Sequence, residues 1–170
     1  MGATTRDGDR IRAAEPADVE VMWTLIRELA EYERLLDQVV LTPESLAQAL
    51  FGERPAAHAV VAEVDGGIVG VALYFFTFST FAATQSLYLE DLYVRPSARG
   101  RGLGRALMAH LAQVAVARGC ARFEWSVLDW NEPALEFYRA LGAVAMDEWT
   151  VQRLSGDALR RLGAEAGQVQ

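Results

Sequence analysis

Hydrophobic and polar positions recur along this chain with two periods, one helical and one strand-like, and they divide it into elements before any motif is considered. Val21, Met22, Leu25, Ile26 and Leu29 follow one helical face behind Glu15-Pro16-Ala17-Asp18, whose proline and acids suit a helix start. The pattern predicts a helix through about Glu33. A second helix is expected from Thr42-Pro43-Glu44-Ser45, with Leu46, Ala49 and Leu50 inward and a stop at Gly52. Strand-sized runs occupy residues 11–13, 58–64 and 68–76, and Asp65-Gly66-Gly67 between the last two is a tight turn joining antiparallel neighbours. A loop is expected over residues 77–86.

Residues 87–94, Leu-Tyr-Leu-Glu-Asp-Leu-Tyr-Val, read as a buried strand interrupted by two carboxylates, Glu90 and Asp91. Successive strand residues face opposite sides, so unless a bulge intervenes only one of the two reaches a cleft. A turn of small and cationic residues follows Pro96. Then come Arg99-Gly100-Arg101-Gly102-Leu103-Gly104 and a helical pattern at Leu103, Leu107, Leu111, Val114 and Ala115. Phe123, Trp125 and Val127 alternate with Arg122, Glu124 and Ser126 over a strand at residues 122–128. A short helix is expected over residues 133–141, ended by Gly142, and a final strand over residues 149–154, before a polar, weakly helical tail. The predicted order is β-α-α-β-β-β-α-β-α-β. It reads as one domain over residues 11–170 behind a disordered lead at residues 1–10.

Composition narrows the classes. With 52% hydrophobic and 23% charged residues the chain is globular rather than disordered. Its longest apolar run, residues 68–76, is too short to span a bilayer, and the polar start lacks a secretory apolar region, so a cytoplasmic protein without membrane contact is expected. A net charge of −7 argues against a nucleic-acid partner and is compatible with small cationic substrates. The single Cys120 excludes an internal disulfide and reads as a buried filler, and His58 and His110 belong to no ligand-spaced set, so no metal is expected.

Strand, glycine-rich turn and helix together make anion-binding geometry, because the first turn of a helix carries free N–H groups and partial positive charge. A lysine-dependent phosphate loop is excluded, since all sixteen basic residues are Arg. The dinucleotide fingerprint also fails, because Gly100, Gly102 and Gly104 are spaced G-x-G-x-G and Arg105 follows. Arg99, Gly102 and Gly104 do match the R/Q-x-x-G-x-G/A signature of the GNAT N-acetyltransferases. Asn131, Ala134, Phe137 and Tyr138 match that family's N-x-x-A-x-x-F-Y segment. The chain thus resembles the GNAT acyltransferases.

The resemblance implies a mixed α/β fold with a central, mostly antiparallel sheet flanked by helices and a splayed parallel strand pair at the cofactor site. It implies acetyl-CoA as co-substrate. Its pyrophosphate would lie on Arg99, Gly100, Arg101, Gly102, Leu103, Gly104 and Arg105, and its pantetheine arm along Leu92, Tyr93 and Val94. Asn131, Pro133, Ala134 and Tyr138 complete the cofactor set, with Glu90 as base and Tyr138 as acid. Residues 25–33, 38–42, 87–91 and 124–137 are similar to the spermidine/spermine and thialysine N-acetyltransferase group. That similarity implies amine contacts from Tyr32, Glu33, Glu90, Glu124, Trp125, Ser126 and Asp147, and a homodimer. A protein or antibiotic amine as acceptor, and a non-catalytic acyl-CoA-binding module, stay open as alternatives.

Overall fold

Asp65 and Gly66 both take positive φ, 50° and 80°, so the two-residue turn they form has the twist that an antiparallel hairpin needs. It aligns Val64 with Gly67 and joins β2 (His58–Val64) to β3 (Gly67–Ser79). The computed structural model describes residues 8–166. β1 (Arg10–Ala13) pairs outside β2, β4 (Thr84–Val94) pairs with β3, and β5 (Arg122–Trp125) lies beside β4. The five strands run in spatial order β1-β2-β3-β4-β5, antiparallel except for the parallel β4–β5 pair.

Helices cover both faces of this sheet. Helices α1 (Val19–Tyr32) and α2 (Pro43–Phe51) bury Met22, Leu25 and Leu46 with Val61, Val71 and Tyr93. Helix α3 (Leu103–Ala117) buries Leu103, Leu107 and Leu111 and packs against β2, β3 and β4, whose alternate residues Val60, Ala72 and Leu87 are also buried. Thr42 caps α2, accepting the Ser45 N–H at 3.2 Å, as Thr42-Pro43 predicts. No helix among the described residues is long and apolar enough to cross a membrane.

The chain divides into two compact units, Met1–Ser126 and Val127–Gln170. The second carries α4 (Glu132–Ala140) and α5 (Gly156–Glu165).

Four sequence expectations are corrected. The loop expected over residues 77–86 is mostly strand: β3 runs to Ser79, β4 starts at Thr84, and only residues 80–83 turn. β5 stops at Trp125 rather than at residue 128. The strand expected over residues 149–154 does not form; Trp149, Val151 and Leu154 are exposed and their backbone has no ladder partner among the described residues. Strand propensity needs a neighbour to become a strand. In the expected lead, Arg10 opens β1 and Asp9 is ion-paired, while residues 1–7 lie outside the described residues.

Arg12 on β1 ties two layers together. Its guanidinium donates to both oxygens of Asp18, at 2.6 and 3.0 Å, and to Glu63 on β2 at 2.9 Å. Asp18 also accepts the Glu15 N–H at 2.8 Å and is buried, and the Arg12 hydrogen bond holds its carboxyl below the usual range. A carboxyl depressed by folding stabilises above its unfolded pKa and loses that contribution as pH falls through the folded value. Asp18→Ala is therefore expected to lower the unfolding free energy by about 2–4 kcal/mol at pH 7. Urea titrations should show the difference shrinking steadily below pH 3.8, the carboxyl's ordinary pKa.

Candidate active site

The pairing register of β3 and β4 slips at the two carboxylates. Leu73 faces Asp91, but Tyr74 faces Leu89, leaving Glu90 as the extra residue of a β-bulge. The bulge reverses the alternation of β4. Before it, Leu87 and Leu89 share a face with Phe76 and Tyr74; after it, Asp91 and Tyr93 share the α1 face with Leu73 and Val71. Both carboxylates thus escape the apolar α3 face that strict alternation would have given one of them.

The β4–β5 ladder ends at the same place. Its last pair is Leu89 with Trp125, and beyond it β4 runs on to Val94 paired with β3 but not with β5. The Arg95 N–H bonds to Val69 on β3 at 2.9 Å, so by alternation the N–H groups of Leu92 and Val94 point away from β3, past the end of β5. These two donors, without a strand partner among the described residues, lie beside an acidic cluster. Glu90 is exposed, whereas Asp91 is half-buried with its carboxyl pushed up to about 6 by burial, reinforced by the charges of Glu90 and Glu33. Burial also raises the carboxyl of Glu33, the residue that closes α1.

At the far end of β4, Gly100 and Gly102 take left-handed φ values of 75° and 82°. Gly102 is the N-cap of α3, so no side chain caps the helix and its first turn contains no acid. The first-turn N–H groups, on Leu103, Gly104 and Arg105, therefore lack helical acceptors, and the donor set fits a phosphate-bearing ligand. Arg99, expected on the cofactor, contacts the end of β4 and two tyrosines. Its Nε donates to the Val94 carbonyl at 3.0 Å, and its guanidinium lies 5.6 Å from the Tyr32 ring centre and 5.8 Å from that of Tyr93. A residue expected on the cofactor and one expected on the amine are thus in contact. Arg101 pairs with Asp9 at 2.7 Å.

Of the remaining candidates in the first unit, Glu124 and Trp125 lie on β5, where Glu124 sits 3.6 Å from Arg122 and Trp125 packs on Phe123 at 5.1 Å between ring centres. Ser126 shares a 2.8 Å hydrogen bond with the Tyr88 hydroxyl. In the second unit the Asn131 side chain caps α4 by accepting the Ala134 N–H at 3.4 Å, with Pro133 in the first turn, as the sequence predicts. Tyr138 packs against Phe137 with ring centres 5.2 Å apart. Asp147 is exposed in a turn of that unit. Sequence reasoning missed Asp9 and Tyr88, whose partners lie 92 and 38 residues away and leave no local pattern.

Residues 22–143 match the model of the acetyltransferase (GNAT) family. The chain is 41% identical over 166 residues to thialysine N-epsilon-acetyltransferase of Bos taurus, covering 91% of this chain and 97% of that one. It is 31% identical over 198 residues to L-ornithine N5-acetyltransferase NATA1 of Arabidopsis thaliana, covering 90% and 87%. Among solved structures, an integron cassette protein from the mobile metagenome of V. cholerae superposes with a TM-score of 0.77 at 28% identity, covering 92% of this chain and 98% of that chain.

The raised carboxyl of Asp91 has a definite sign. A group held protonated by folding binds more protons in the native than in the unfolded state between pH 3.8 and about 6, so stability falls as pH rises through that window. Asp91→Asn removes this dependence. Its urea midpoint is expected to gain on that of the parent protein as pH is raised across the window and to hold the gain above it.

Proposed function

The chain belongs to the acetyltransferase (GNAT) family and is an acetyl-CoA-dependent N-acetyltransferase; we propose that its acceptor is the side-chain amine of a small basic amino acid. The observation that carries this reading is the bulge of β4, which puts Glu90 and Asp91 where the β5 ladder ends, beside the outward N–H groups of Leu92 and Val94. The substrate class is supported by two relatives named for thialysine and ornithine, each an amino acid with a primary amine at its tip. Polyamines and diamines share that amine but lack the amino-acid end.

An alkylamine with a reference pKa near ~10.4 is neutral in only about one molecule in two to three thousand at pH 7, so a base must take its proton. Glu90 is proposed as that base, directly or through a water. Glu33 and Asp91 add the negative field that draws the ammonium in. The neutral nitrogen attacks the thioester carbonyl carbon, and the Leu92 and Val94 N–H groups are the proposed donors to the oxygen that gains charge. The carbon–sulfur bond breaks, the amide nitrogen sheds its extra proton to solvent, and the thiolate takes a proton from Tyr138, which solvent then reprotonates; a phenol, with a reference pKa near ~10, lies close enough to a thiol for the transfer. Support for Tyr138 is its place in the N-x-x-A-x-x-F-Y segment.

The loop around Gly102 and the first turn of α3 would hold the diphosphate of acetyl-CoA, which supplies the activated acetyl group when bound. Tyr32, Glu124, Trp125, Ser126 and Asp147 are proposed amine-side contacts. The resemblance to the thialysine and spermidine/spermine group supports these contacts, a homodimer and a cytoplasmic location.

Thiol release from acetyl-CoA against a panel of thialysine, ornithine, lysine, spermidine, spermine, putrescine and aminoglycosides tests the reading. The basic amino acids are expected to be fastest; a polyamine or aminoglycoside leading the panel would overturn the substrate class. Silence throughout, with acetyl-CoA shown to bind by calorimetry, would favour a macromolecular acceptor or a non-catalytic module. Glu90→Gln should lose most activity at low pH and recover as pH approaches the amine pKa, because free amine then no longer depends on a base. A constant ratio of the two rates across pH would reject Glu90 as the base.

A further inference from the structure

The carboxylate of Asp9 is almost wholly enclosed, with 1% of its side chain exposed, and it accepts a hydrogen bond from Nη2 of Arg101 at 2.7 Å. Its position is fixed from the sheet side, because the next residue, Arg10, is in register with Glu63 across the β1–β2 pair. On the other side, Arg101 stands between Gly100 and Gly102, both left-handed, at φ 75° and 82°. Two glycines one residue apart are the points about which this loop turns most freely. Among the described residues the buried Arg101 Nε has no acceptor, and the ion pair of this guanidinium is with Asp9.

A loop that binds an anion through backbone N–H groups binds well only when those groups are already aimed. Otherwise ordering the loop offsets part of the affinity. We propose that Asp9 is a positioning residue for the cofactor loop: by anchoring Arg101 it pins the backbone between the two glycine pivots and so raises affinity for the diphosphate end of acetyl-CoA. Arg101 then serves as the loop's anchor, and its charge is spent on Asp9 rather than offered to the phosphates. The proposal rests on the reading above that this loop holds the diphosphate.

Three variants, Asp9→Ala, Arg101→Gln and their combination, test it by amide hydrogen exchange and calorimetry. In ligand-free protein, Asp9→Ala should speed exchange across residues 99–104. The same variant should weaken acetyl-CoA binding roughly tenfold while leaving S-acetylpantetheine, which lacks the diphosphate and adenosine, unchanged. Arg101→Gln should act in the same direction, and the double variant should be no worse than Asp9→Ala alone, since the Asp9–Arg101 contact can be lost only once. Equal weakening of both ligands would make Asp9 a general structural residue and overturn the proposal, as would unchanged exchange with unchanged affinity. Should Asp9→Ala fold poorly, Asp9→Asn removes the charge at constant volume and repeats the measurements. Parent protein that binds acetyl-CoA no more tightly than S-acetylpantetheine would instead overturn the assignment of the loop, with the exchange data still reporting whether Asp9 orders it.

Discussion

One extra residue in β4 governs the arrangement of this protein's first unit. A strand rich in Leu and Tyr has no place for two adjacent carboxylates while its alternation is unbroken, since one of them would enter the apolar layer under α3. The bulge at Glu90 removes that conflict by shifting the parity of everything after it. A bulged strand also bends, and the ladder to β5 ends at the pair just before it. One local irregularity therefore accompanies the acidic cluster and the end of the parallel ladder, and the outward N–H groups of Leu92 and Val94 beyond it have no strand partner among the described residues.

The two ends of β4's open stretch carry opposite charge. Glu33, Glu90 and Asp91 crowd one end closely enough that the charges of the first two raise the carboxyl of the third. At the other end, Gly102 begins a helix with no acid in its first turn. The positive character there is that of the helix backbone, since Arg95 is paired with Glu28 and Arg101 with Asp9.

The exclusive use of arginine has structural consequences. Arg12 bridges Asp18 and Glu63, Arg95 places Nε and Nη2 on the Glu28 carboxylate at 2.8 to 3.1 Å, and Arg99 lies over two tyrosine rings while bonding a carbonyl. Each role uses the planar, many-donor guanidinium, and an ammonium group would fill none of them equally well. These contacts join β1 to the entry of α1, α1 to the end of β4, and β4 to its own glycine loop.

The sequence by itself determined whatever depends on near neighbours. The helical faces of α1 and α2, the Asp65-Gly66 turn, the Asn131 cap and the strand–glycine–helix order each follow from residues within a few positions of one another. The motif around Arg99, Gly102 and Gly104 is equally local, which is why the family was legible. Only the tertiary structure decided the bulge, because register belongs to two strands and no single strand encodes its partner's phase. It also decided that residues 77–79 and 84–86 pair as strands while residues 149–154 do not, since similar propensities diverge according to whether a ladder partner is present. Asp9 and Arg101 stand 92 residues apart, and their charges meet only because β1 starts beside the loop that follows β4. Local chemistry is written along the chain, whereas contact between distant residues exists only once the sheet has assembled.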